Sequence, residues 1–231
     1  MKEKKVFIFD WDGTLLNSTE SGYRKMEKTI KTLGLNPLPR TFLKKHWGMK
    51  ADKLSDLILN TLGSTTVSHN DFWETYHLIE EEYPSINDTY KALISLKECG
   101  NTIGLITSRT NESWLKCCAI LDFDISCFDF IQTACHFYHH KPSGRVFEPL
   151  FNWVKNLDYT PVNIVYFGDT IAYDLKATRD LNPPLDFVAV ASGVNSKTEF
   201  LEAGVDNSRI INSYNELPSY LNRIVQQKVE V

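Results

Sequence analysis

The sequence predicts an α/β fold, a doubly wound parallel sheet with a small all-helical domain inserted after the first strand. Three observations carry that prediction. Short β-rich runs recur along the chain with helix-like segments between them. The runs are apolar rather than alternating, as expected of strands covered on both faces. One block, residues 17–84, holds only helical patterns and interrupts the rhythm.

The first run is VFIFD, Val6–Asp10. Four helical patterns come next, Glu20–Leu33, Arg40–Trp47, Ala51–Leu62 and Asn70–Tyr83, punctuated by Pro37, Pro39 and Gly63 and closed by Pro84. The alternation of strand and helix then begins. Asn87 or Asp88 can cap a helix through Lys97, with Gly100 placed to stop it before TIGLIT, Thr102–Thr107. Thr110 or Asn111 can cap a helix through Ile120, followed by FDFIQT, Phe128–Thr133. A helix over Ser143–Leu157 precedes NIVYFGD, Asn163–Asp169, and DFVAVA, Asp186–Ala191, is the fifth run. The domain reading is a discontinuous core, residues 1–16 and 85–231, with residues 17–84 as the insert. Alternating strands and helices favour a parallel sheet.

Composition narrows the function classes. The chain has 231 residues, 42% hydrophobic and 23% charged, which is ordinary for a globular protein with a sizeable core. A formal net charge of −4 gives no global reason to expect a nucleic-acid partner. No apolar stretch approaches the roughly 20 residues of a membrane span, and MKEKKVFIFDWDG does not read as a signal peptide. Five cysteines without a CxxC pair read as free thiols of a reducing compartment, so a cytoplasmic location is expected. The sequons at Asn17, Asn87 and Asn111 are then chance matches.

In a doubly wound sheet the functional crevice lies beyond the carboxyl ends of the strands. Polar signals sit there in this chain. Asp10 and Asp12 end the first run, Thr107-Ser108-Arg109 the second and Gly168-Asp169 the fourth, with Asp174 beyond it; Lys141 lies downstream of the third. Four carboxylates converging on one crevice would repel and force a proton onto at least one. A divalent cation plus Lys141 relieves that repulsion, and an all-oxygen set suits Mg²⁺ meeting a substrate phosphate. The Thr107 hydroxyl, backbone N–H groups around Trp11 and Asp12, and Lys141 can hold phosphate oxygens.

DWDGT (Asp10–Thr14), ITSR (Ile106–Arg109), KPSG with Lys141, and GDTIAYD (Gly168–Asp174) resemble the four ordered motifs of the haloacid dehalogenase-like superfamily. The helical insert resembles the cap of its subfamily I, and ASGVNSKTEFLEAGVD (Ala191–Asp206) resembles the tail of phosphoglycolate phosphatase-like members. The resemblance implies a Rossmann-like core and a Mg²⁺-dependent phosphatase acting on a small phosphate monoester, phosphoglycolate-like or a sugar phosphate. It further implies Asp10 as nucleophile and Asp12 as acid and base. Thr107, Ser108 and Lys141 would bind the phosphoryl group with the Trp11 and Asp12 backbone. Asp10, the Asp12 carbonyl and Asp169 would hold the metal, with Asp174 either a direct ligand or a partner one step behind the ligands. Dehalogenases and phosphonate-cleaving relatives lack the second aspartate, so Asp12 favours phosphate-ester chemistry. Two departures stand out: Trp11 replaces a smaller apolar residue, and Gly144 stands where many phosphoglycolate phosphatases have a second proline.

Two other functions fit the same motifs: a phosphomutase of the β-phosphoglucomutase type, and a non-catalytic regulatory or binding module on the fold. A monomer or weak homodimer is expected. In LKKHWGMKADKL (Leu43–Leu54), His46, Gly48 and Lys50 are candidates for substrate specificity, and Lys44, Lys45 and Lys53 suggest an anionic or polar leaving group unless they form a solvated face. Cys135, His136, His139 and His140 invite a zinc reading, but the spacing has no second paired half, and the segment reads better as a connection into Lys141.

Overall fold

The computed structural model describes residues 4–80, 82–134, 139–161, 163–192 and 194–226. Six strands form one sheet, β1 (Lys5–Phe9), β2 (Thr102–Ile106), β3 (Phe130–Gln132), β4 (Asn163–Gly168), β5 (Asp186–Val190) and β6 (Ile210–Ile211). Their order is β3-β2-β1-β4-β5-β6, and every pairing is parallel. β1 is therefore central, with Phe9 opposite Leu105 on one side and Phe167 on the other. This register brings the strand ends carrying Asp10, Thr107 and Asp169 to one edge of the sheet.

Side chains alternate across β1 and feed two cores. Phe7 and Phe9 join a cluster with α5 (Asn87–Glu98), α6 (Asn111–Ile120) and α10 (Leu217–Gln226). Val6 and Ile8 join another with α7 (Glu148–Val154), α8 (Lys176–Arg179) and α9 (Lys197–Glu202). All four are essentially without solvent exposure, each contributing roughly 2 kcal/mol by burial. A strand fixed on both faces and both edges gives the residues at its carboxyl end a rigid base.

Between β1 and α5 lie α1 (Thr19–Thr32), α2 (Arg40–His46), α3 (Ala51–Thr61) and α4 (His69–Leu78). They bury a cluster of their own, including Met26, Ile30, Leu43, Ile58 and Phe72. A Lys44–Glu199 ion pair at 3.3 Å and a bond from Ser108 Oγ to the Gly48 carbonyl at 3.4 Å join this layer to the sheet layer.

Three sequence expectations are corrected. The helix expected over Asn70–Tyr83 ends at Leu78, where Ile79 is already extended; Glu80 and Glu82 would set negative charge against the negative end of the helix dipole if the helix ran on. The helix expected over Ser143–Leu157 divides into a 3₁₀ turn, Gly144–Phe147, and α7, because Pro149 is accommodated only in the first turn of a helix. Beyond Ala191 the sequence expectation holds no elements, whereas α9, β6 and α10 complete the fold. Thr110 caps α6 as expected, accepting a bond from Ser113 N–H at 3.2 Å.

Candidate active site

The end of β1 runs straight into the site. Asp10 N–H still bonds the Phe167 carbonyl at 2.9 Å, and Thr107 N–H bonds that of Gln132 at 3.0 Å. Sheet pairing thus holds both residues one step past the assigned strands. Trp11 turns its side chain away, fully buried and edge-on to Trp114 and Phe123, leaving its backbone at the site. Gly13 has φ of +75°, and a Cβ there would lie 2.1 Å from Asp169 Oδ2. The glycine of DWDGT is needed both for its turn and for the space it leaves.

After β4 the chain makes a π-helical turn, Ile171–Leu175. This wider turn carries Asp174 back toward the sheet, where its Oδ2 accepts bonds from Thr170 N–H at 3.0 Å and Thr170 Oγ at 2.5 Å. Lys141 Nζ lies 2.9 Å from Asp10 Oδ1 and 2.7 Å from Asp174 Oδ1, and donates to Tyr166 Oη at 3.1 Å. Tyr166 Oη in turn donates to Asp174 at 2.8 Å. One ammonium therefore fixes both acids.

Asp10, Asp169 and Asp174 present carboxylate oxygens within 4.8 Å of one another, all buried. Asp169 Oδ2 is buried without a hydrogen-bond partner among the described residues. Burial, then Asp174 and Asp10, push the Asp169 carboxyl well above its usual range. Burial likewise raises Asp10 to about 7, with Asp174 and Asp12 adding to the effect and Lys141 opposing it. Burial alone would lower Lys141, yet Asp10 and Asp174 hold its ammonium well above the usual value. A partnerless oxygen inside an acidic group is a good fit to a hard cation.

Asp12 differs. Arg109 grips it in a two-point bond, Nε to Oδ2 at 2.7 Å and Nη2 to Oδ1 at 2.8 Å, and Ser18 Oγ donates to Oδ1 at 2.6 Å. Burial opposes ionisation here, but Arg109 and then Ser18 outweigh it and hold the carboxyl below its usual range.

These side chains open on a cavity of about 490 Å³ between the sheet edge and the helical layer. The structure brings Asp10, Asp12, Thr107, Ser108, Lys141, Asp169 and Asp174 together there, with Gly48 and Lys50 from the helical layer. His46 is not in the lining; it packs tilted against Phe42 instead. Of the basic residues expected near the leaving group, Lys44 is paired to Glu199 and Lys50 to Asp52, while Lys45 and Lys53 are exposed. Cys135 and His136 of the zinc reading lie outside the described residues. Arg109, Ser18, Tyr166 and Thr170 hold the site's acids and lysine, and the sequence alone assigns them no role. The place of Arg109 after the hydroxyl pair is one signal for it; Tyr166, a polar residue inside a buried strand, is the other available signal.

Comparison with known proteins bears on the family and the fold. Phosphoglycolate phosphatase of Aquifex aeolicus is 28% identical over 178 residues, covering 76% of this chain and 80% of its own. Pyrophosphatase PpaX of Bacillus anthracis is 28% identical over 167 residues, covering 70% and 73%. Among solved structures, β-phosphoglucomutase of Clostridium difficile covers 100% of both chains with a TM-score of 0.67 at 21% identity. CbbY of Rhodobacter sphaeroides covers 94% of this chain and 96% of its own, with a TM-score of 0.69 at 20% identity; at such identities these two attest the fold. The haloacid dehalogenase-like hydrolase profile matches residues 7–190, and the chain belongs to that family.

Proposed function

We propose that the protein is a Mg²⁺-dependent phosphatase that hydrolyses a phosphate monoester through an aspartyl-phosphate at Asp10. Residues 17–84 act as a cap over a core formed by 1–16 and 85–231. The observation that carries the reading is Asp10 itself, a buried carboxylate held 2.9 Å from Lys141 and beside the unpartnered Asp169 oxygen. Two relatives in sequence bear phosphatase names, phosphoglycolate phosphatase and a pyrophosphatase, which supports phosphoryl chemistry.

The residues divide the work. An Asp10 carboxylate oxygen attacks phosphorus and displaces the alkoxide in line; a rigid strand end keeps that oxygen in place. Lys141 and the Thr107 hydroxyl bind oxygens of the transferring group and offset its charge. Asp12 gives a proton to the departing oxygen, then takes one from the water that cleaves the acyl phosphate. Its resting grip by Arg109 and Ser18 keeps it ionised, which suits the second task; the first requires the guanidinium to release it and the carboxylate to take up a proton from solvent, which the second task restores for the next cycle. Asp10, the Asp12 carbonyl, Asp169 and Asp174 would hold Mg²⁺, which supplies charge neutralisation to the phosphoryl oxygens.

A phosphomonoester panel, run with Mg²⁺ and after chelation, tests the reading through phosphate release. Turnover should require Mg²⁺, and Asp10→Asn should reduce it to background while the circular dichroism spectrum stays unchanged. Wild-type activity in Asp10→Asn would remove Asp10 as nucleophile. Sugar-phosphate isomerisation without phosphate release would point to a mutase instead.

A further inference from the structure

The cavity has two unlike walls. The sheet edge supplies the acids, Lys141 and the hydroxyls. The wall from the helical layer is dominated by rings and apolar side chains, with Lys50 and Asp52 as its charged members. α4 places His69, Trp73, Tyr76 and His77 on the cavity, a spacing of i, i+4, i+7, i+8 that puts all four on one helix face. Trp73 packs edge-on to Tyr76 at 5.0 Å and tilted against His77 at 6.2 Å. Trp47 and Met49 enter from the turn after α2. Trp47 is held edge-on by Tyr23 at 4.7 Å and lies over Gly22, where a Cβ would meet its ring at 2.4 Å.

The polar atoms of this wall are largely engaged with each other. Trp73 Nε1 donates to Ser55 Oγ at 3.0 Å, and Ser55 Oγ lies 2.5 Å from His69 Nδ1. Lys50 is bound to Asp52 at 2.9 Å. A leaving group rich in hydroxyls or carboxylates would find few groups ready to receive it. A ring would find fixed aromatic faces, oriented by hydrogen bonds and neighbours, with little entropy left to lose. Partly exposed aromatic residues gathered on one helix face, around a cavity within the usual 300–1,000 Å³ of ligand sites, mark a binding surface.

We infer that the α4 face with Trp47 and Met49 is a leaving-group platform, and that the substrates of this enzyme are phosphate monoesters whose leaving group carries a planar aromatic or heteroaromatic ring. The inference rests on the phosphatase reading and adds the substrate class. Phosphate sits at the sheet edge, and the ring lies across the cavity against the helical layer.

Two alkyl esters with alkoxides of similar basicity isolate the platform from the chemistry. For the wild-type enzyme with Mg²⁺, kcat/KM for 2-phenylethyl phosphate should exceed that for ethyl phosphate by about tenfold or more, chiefly through KM. In Trp73→Leu the ratio should fall to about threefold or less by the same reasoning. Trp47→Leu serves equally if Trp73→Leu loses its folded circular dichroism spectrum. A wild-type ratio near one, a ratio unchanged in both variants, or a preference for pyrophosphate or 2-phosphoglycolate over the phenylethyl ester would overturn the inference and leave the phosphatase reading intact. If no ester is hydrolysed, the phosphatase reading fails, and calorimetric binding of the same two esters to Asp10→Asn still decides the platform. Tighter binding of the phenylethyl ester, lost in the Trp73→Leu double variant, supports it; equal binding refutes it.

Discussion

Asp10 and Asp12 are one residue apart and meet opposite electrostatic fates. Burial, reinforced by Asp174 and Asp12 against Lys141, pushes Asp10 up to about 7, whereas Arg109 outweighs burial at Asp12 and holds it low. Without a cation this order is the reverse of the one the proposed roles need, an ionised nucleophile and a protonated acid; a cation beside Asp10 and release of Asp12 from Arg109 would invert it. Gly13 is what keeps the pair close to Asp169. Gly13→Ala should destabilise the fold by about 1–2 kcal/mol through its positive φ and weaken Mg²⁺ binding by displacing Asp169, as seen by thermal melts and Mg²⁺ titration. The cysteines have a quieter role. Cys117, Cys118 and Cys127 are buried, and burial, with smaller contributions from neighbouring groups, raises the thiols of Cys118 and Cys127 to about 12. Iodoacetamide at pH 8 should leave these two unmodified until the protein is unfolded in guanidinium, a difference that peptide mass spectrometry reads directly.

At the scale of elements, how much is legible in the sequence depends on the type of signal. β1, β2, β4 and β5 are visible because strands buried on both faces need unbroken apolar runs. α10 is absent from the sequence expectation, although Leu217, Leu221 and Ile224 repeat at helical spacing and the first two are fully buried. β6, two residues long, is a strand only because β5 pairs with it, a tertiary fact no local pattern records. The motif residues can be placed at one edge from strand ends alone. The Arg109–Asp12 pair cannot, since it spans 97 positions and depends on a side-chain conformation. α10 closes the core on one face of the sheet, so Leu221→Ala should cost about 3 kcal/mol in urea unfolding. Leu78, 84% exposed at the end of α4, should tolerate Ser within about 0.5 kcal/mol.

At the scale of the whole molecule, the charges of the site enter the stability of the fold. Asp10, Asp12, Asp169 and Asp174 face two cations, Lys141 and Arg109, which leaves an excess of two negative charges when all are ionised. A folded-state carboxyl raised above its unfolded value binds more protons when folded. Its contribution is therefore most favourable below about pH 4 and declines as pH rises toward about 7, the value for Asp10. Cation binding replaces those protons. The difference in Tm between Mg²⁺ and chelator should accordingly widen from pH 5.5 to pH 8. A constant difference would show that the buried acids do not carry the linkage.

The helical insert joins the core by two crossings, and both are fastened to the same pair of side chains. Ser18 on the outgoing chain donates to Asp12, and Tyr83 on the returning chain accepts from Arg109 at 3.1 Å. The Asp12–Arg109 pair is thus a knot tied between two ropes, and any swing of the insert pulls on it from both ends. In the proposed mechanism Asp12 carries the proton, so a displacement of the insert would disturb, through Ser18 and Tyr83, the group that transfers it.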